Sequence, residues 1–201
     1  MKKLILSICF AGLLASTSFA QFEDNKFLLG GSLSTVTSNA EGDRVFSQFE
    51  FSPAVGYVLN ESSVAGIRTS FATSSTPTGL GTDDSFAYEL GLFYRKYWSI
   101  SEKIFLFGQG DANYLGGTNE NQTDAGGTTV TETTTLSGLS IGITPGITAR
   151  LTEWLLIDFS LGQLRYARQT VDFDSPTAED SSTSLFTFSL NNPTLGFVFS
   201  F

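Results

Sequence analysis

The chain has no histidine, and its one cysteine, Cys9, lies close to the N-terminus. Without histidine, a Ser-His nucleophile pair is excluded. Beyond Cys9 there is no thiol chemistry, no disulfide framework and no soft metal site. Basic residues are few. Eleven Lys and Arg stand against 20 Asp and Glu, for a net charge of −9, which argues against a nucleic-acid partner. Proline is sparse, at 5 residues. No segment beyond the first twenty residues holds eighteen continuous apolar residues, so no helix is expected to span a bilayer. If the chain resides in a membrane, it does so as a closed barrel.

What is present begins with a targeting pattern. Lys2 and Lys3 form a basic start, Leu4 to Leu14 is apolar, and Ser18-Phe19-Ala20 is a small-x-small cleavage site before Gln21. The pattern predicts a signal peptide over 1–20; an N-terminal anchor helix is the alternative. Residues 21–201 are then one domain, rich in Phe, Gly, Thr and Ser.

Alternation with period two runs through that domain and predicts strands. Candidates are Lys26–Thr37, Val45–Leu59, Ser63–Thr73, Phe86–Trp98, Lys103–Leu115, Thr134–Leu151, Trp154–Thr170 and Ser184–Phe201. In the seventh, the apolar phase changes near Gln163, as a bulge would cause. In the eighth it changes at Asn191-Asn192-Pro193, a second expected bulge. Pro53 and Pro145 cannot donate to a ladder, so each belongs at a bulge or an unpaired position.

The connections alternate long, short, long, short, long, short, long. The long ones, Ser38–Arg44, Ser74–Ser85, Gly116–Thr133 and Val171–Ser182, carry most of the acids. Eight strands with this rhythm predict an all-β, antiparallel, up-and-down transmembrane barrel, with both termini at the periplasmic side. One parity is Phe, Leu, Ile, Val and Tyr. The other holds Gln48, Gln109 and the charges Glu50, Arg68, Glu89, Arg95, Asp111, Arg150, Asp158 and Arg165. Each charge would be costly in lipid. Turned inward, both signs can pair. Phe186, Phe188, Leu190, Leu195, Phe197, Phe199 and Phe201 then face lipid. Tyr57, Tyr88, Tyr94, Trp98, Tyr114, Trp154 and Tyr166 are girdle candidates. The last strand is expected to pair with Phe27–Thr37 and so remove both sheet edges. A soluble sandwich or lipocalin-like barrel with the faces reversed is the competing fold.

Some of these residues carry a family likeness. FEFSPAVGYVLNESSVAG, Phe49 to Gly66, resembles a recurrent hairpin of the Bacteroidota outer-membrane β-barrel domain family, and LSIGITPGITARLTEWLL, Leu139 to Leu156, resembles its later hairpin. Phe201, with Phe199 and Phe197 before it, resembles the signal read by the barrel-assembly machinery. The resemblance implies a small OmpA/OmpX-type, porin-like barrel in the cell outer membrane. Its implied partners are outer-membrane lipids, the assembly machinery and periplasmic chaperones, and the barrel is expected to be a monomer.

For function, the expectation is a structural barrel of the cell envelope with no catalytic activity, no cofactor and no metal. Asp83, Asp84, Asp172, Asp174 and Asp180 could cluster at an outer rim. No nucleophile motif or EF-hand pattern accompanies them, so solvated loop acids are the simpler reading. Two alternatives stay open. One is a surface adhesion or interaction protein acting through the long loops, of which Gly116–Thr133 reads as mobile. The other is a narrow pore or transporter gated by the interior charges.

Overall fold

A computed structural model describes residues 26–40, 43–78, 81–124, 129–173, 181–189 and 194–201. The targeting pattern and the phase break at Asn191-Asn192-Pro193 lie outside the described residues. Ten β segments follow one another: β1 Phe27–Ala40, β2 Asp43–Asn60, β3 Ser63–Thr78, β4 Gly81–Ser99, β5 Ile104–Asp124, β6 Thr129–Arg150, β7 Leu155–Ser160, β8 Gln163–Phe173, β9 Ser181–Ser189 and β10 Thr194–Ser200. Every ladder is antiparallel, and β1 to β6 pair in sequence order. β7 and β8 are two halves of one strand, both paired with β6. β9 and β10 likewise continue the next one, pairing with β8 and β7. β10 returns to β1 through Leu28↔Ser200 to Ser32↔Gly196. The result is an eight-stranded up-and-down barrel. The expected closure over Phe27–Thr37 is shorter than the sequence suggested: among the described residues the ladder ends at Ser32.

The interruptions have local causes. Gly146 faces Ser160 and Ile143 faces Leu164, so Thr144 and Pro145 oppose three residues, Leu161 to Gln163. That extra residue is a bulge, and it shifts the apolar phase as the sequence requires. Gly162 sits there at φ 146°, a region side chains rarely enter. The Leu161 N–H donates to the Pro145 carbonyl at 2.9 Å. Pro145 therefore turns its missing donor towards the bulge, where no regular ladder bond is lost. Near Pro53, the β2–β3 ladder skips Ser52 and Pro53, then resumes at Ala54↔Arg68 in unchanged register.

The outer surface is apolar. Leu139, Phe186 and Phe188 are each about two-thirds exposed (67, 67 and 66%), and Leu92, Ile141, Ile143, Ile67, Leu33 and Leu195 are also exposed. Aromatic pairs sit on this surface towards both ends of the barrel. Phe27 meets Tyr57 edge-on at 5.4 Å and Trp154 stacks on Phe199 at 6.0 Å near the chain ends. Tyr88 lies beside Phe86 and Tyr114 at 6.3 and 6.4 Å towards the other end.

The long connections are mostly strand, which corrects the loop reading of the sequence. β5 and β6 stay paired out to Asp124↔Thr129, and β3 and β4 to Thr78↔Gly81. Gly116–Thr133, read as mobile loop, is therefore a continuous hairpin ladder apart from 125–128. Its Thr-rich composition suits a pleated sheet.

Candidate functional site

The inward parity of β2 to β8 brings the polar residues into the bore, where three ion pairs form. Two of them cross it. Arg95 on β4 pairs with Asp158 on β7, and Arg165 on β8 pairs with Glu89 on β4 at 2.6 Å. In the ring, β5 and β6 separate these partners, so each pair is a strap between distant walls. Arg68 on β3 reaches Asp111 on β5 at 3.7 Å, across β4. The row between them carries Gly91, paired with both Arg68 and Asn113. A Cβ at Gly91 would lie 2.0 Å from Asn113 Oδ1, so the glycine is what lets Asn113 lean over the strand. Asn113 Nδ2 in turn donates to Asp111 Oδ2 at 2.7 Å.

Arg95 is fully engaged. Its Nε donates to Gln109 Oε1 at 2.9 Å and its Nη1 to Tyr97 Oη at 3.1 Å, besides the bond to Asp158. Thr148 Oγ1 donates to the other Asp158 oxygen at 2.7 Å. The guanidinium also lies 4.3 Å from the centre of the Phe107 ring, a cation–π contact. Arg165 additionally donates to Ser140 Oγ at 3.1 Å. Glu50 has no ion pair among the described residues; it accepts from Ser52 and Ser70. Arg150 lies apart from the straps, its guanidinium 5.1 Å from the Phe105 ring centre. The eight charged residues thus form three ion pairs, one hydroxyl-held carboxylate and one ring-stacked arginine.

Below Arg95, towards the chain ends, the bore turns largely apolar. Leu28, Val64, Phe93, Tyr97, Phe105, Phe107, Leu156 and Val198 form one buried cluster there. Val64, Tyr97 and Leu156 are each 1% exposed. Gly146 makes room for the plug: a Cβ on it would meet the Phe107 ring at 2.2 Å. An apolar plug thus stands beside the inward-turned charges expected from the sequence. The signal was present, since Phe93, Phe105 and Phe107 share parity with Arg95 and Gln109, but parity alone does not distinguish a polar bore from a capped one.

A chamber of about 570 Å³ is lined by plug residues such as Leu28, Val64 and Tyr97 at one end and by Leu136 and Leu185 at the other, with the strap residues between. The described rim acids, Asp83, Asp84 and Asp172, sit on strands rather than loops. Asp84 faces Glu120 across the β4–β5 ladder, and Asp83 faces Asn121. Asp172, next to the last residue of β8, lies opposite Thr135. Asp174 and Asp180 lie outside the described residues. Among the described residues no cluster of acids, histidines or cysteines could hold a metal ion, and no helix is long and apolar enough to cross a membrane.

A closed β-ring with an apolar outer belt, aromatic pairs towards both ends and its charges turned inward belongs in a bilayer. The chain is a transmembrane β-barrel of the outer-membrane type, and its location is the outer membrane. Solved structures agree in fold. Neisserial surface protein A superposes with a TM-score of 0.52 at 11% identity, covering 87% of this chain and 97% of its own. The translocator domain of the autotransporter NalP from Neisseria meningitidis gives 0.50 at 12% identity, covering 93% and 67%. At such identities the likeness is one of fold. No family model matches the chain, and no curated protein sequence matches it.

Proposed function

We propose that this barrel is a structural component of the cell envelope that neither conducts nor catalyses. The supporting observation is an apolar plug of four aromatic and four aliphatic residues in the bore, with the Arg95–Asp158 strap beside it. Eight strands enclose an interior just wide enough for side chains to fill. A pore would need a continuous wetted path, and the plug speaks against one. The short turns and both chain ends then face the periplasm, with the long hairpins outside.

Cells lacking the protein are expected to become sensitive to detergent and to large antibiotics, and re-expression should restore resistance. Unaltered permeability of the deletion strain would reject a structural role.

A second reading, surface interaction, is favoured by the paired outer hairpins. A continuous ladder to Asp124↔Thr129 presents a fixed sheet rather than a mobile loop. Its exposed acids, Glu120 and Glu132, suit a basic partner. Trimming 118–131 to a tight turn separates the readings. If the trimmed barrel restores envelope resistance but loses surface binding, the hairpin has its own role. If binding is unchanged, the hairpin does not carry it.

A further inference from the structure

We propose that the chamber in the bore binds a small zwitterionic solute, an amino acid or short peptide, with Arg68 holding its carboxylate and Glu50 its ammonium group. The chamber measures about 570 Å³ and both residues line it, a volume in the range of small-ligand sites.

The two residues differ from the other interior charges in what they leave unsatisfied. Arg95 spends its donors on Gln109, Tyr97 and Asp158. Arg68 makes no hydrogen bond among the described residues. The nearest acid atom, Asp111 Oδ1, is 3.7 Å from its Nη1, beyond hydrogen-bond reach. That oxygen is itself buried without a hydrogen-bond partner. Arg68 thus offers a planar set of N–H donors suited to a carboxylate. Glu50 is the converse. Its Oε1 accepts from Ser52 Oγ at 2.9 Å and Ser70 Oγ at 3.0 Å, and no cation among the described residues lies within ion-pair distance. A solute ammonium would supply one.

Ser70, which holds Glu50, stands two residues from Arg68 on the same face of β3, a step of about 6.7 Å along the strand. Next to β2, β1 adds the small, uncharged Gly30, Gly31 and Ser32 to the lining. The floor, Leu28 and Phe93, can take an apolar substituent. Because the plug closes the lower end, the solute enters from the hairpin side and leaves the same way. On that side the inward-parity residue Leu185 is 54% exposed.

The test is titration calorimetry on refolded barrel in detergent, with glycylglycine, acetate and methylammonium as separate probes. Glycylglycine should bind one to one, with acetate and methylammonium each at least tenfold weaker, because each engages only one of the two residues. Arg68→Gln and Glu50→Gln should each weaken glycylglycine at least tenfold while keeping the heat-dependent gel shift of a folded barrel. Absence of saturable glycylglycine binding overturns the proposal. Acetate binding as tightly as glycylglycine overturns the zwitterion assignment, a result read on the native chain even if a variant fails to fold. Binding unmoved by either substitution in folded protein also overturns it. None of these outcomes depends on whether the barrel conducts.

Discussion

Arg95 is the residue on which the interior turns. It ties β4 to β7, caps the aromatic plug through the Phe107 ring and satisfies Tyr97. A charge in so closed a setting is stabilised only while its partners remain. Removing Arg95 alone strands Asp158, whose carboxylate would keep only the Thr148 hydroxyl. Arg95→Leu is therefore expected to lower the unfolding free energy by about 3–5 kcal/mol. Arg95→Leu combined with Asp158→Leu should cost clearly less than the sum of the two single changes. Urea unfolding followed by the fluorescence of Trp98 and Trp154 measures both. Strict additivity would mean that the strap carries no coupling. That Arg95 faces the bore is legible in the sequence, because Phe86 to Trp98 alternates cleanly. Its partner is not, because Asp158 is 63 residues away and pairing across a bore depends on strand count and register together.

At the scale of the elements, the strand formed by β7 and β8 depends on its bulge. The alternation Leu155, Ile157, Phe159 and the later set Leu164, Tyr166 fall on opposite parities, yet Phe159, Leu164 and Tyr166 all face outward. One extra residue reconciles them, and Gly162 supplies the backbone shape. Gly162→Ala should destabilise by about 1–2 kcal/mol. Gly110→Ala is the control, since a Cβ there meets only the Gly142 carbonyl oxygen at 4.0 Å; it should fall within about 0.5 kcal/mol of the native chain. Equal effects in urea unfolding would remove the special role of Gly162. This bulge was readable because a phase slip breaks a period-two pattern visibly. The lengths of the outer hairpins were not. Thr129 to Thr135 is polar and flanked by glycines, which resembles loop composition, and only pairing with Thr118 to Asp124 turns that threonine content into strand. The plug escaped for a related reason. Alternation assigns a side chain to a face, whereas a plug depends on several inward aromatics meeting at one height.

For the whole molecule, two solvents explain the arrangement. Lipid takes the Phe, Leu and Ile face, and the charges turn inward where they can pair. Closure through Leu28–Ser32 and Gly196–Ser200 leaves the bore to be filled from within, by the plug at one end and the straps in the middle. The most direct test is single-channel recording of refolded protein in a planar bilayer. Quiet bilayers are expected from protein that shows the heat-dependent gel shift of a folded barrel. A steady ion current through that protein would contradict the closed bore, and a current altered by Arg95→Gln would place the path along the strap itself.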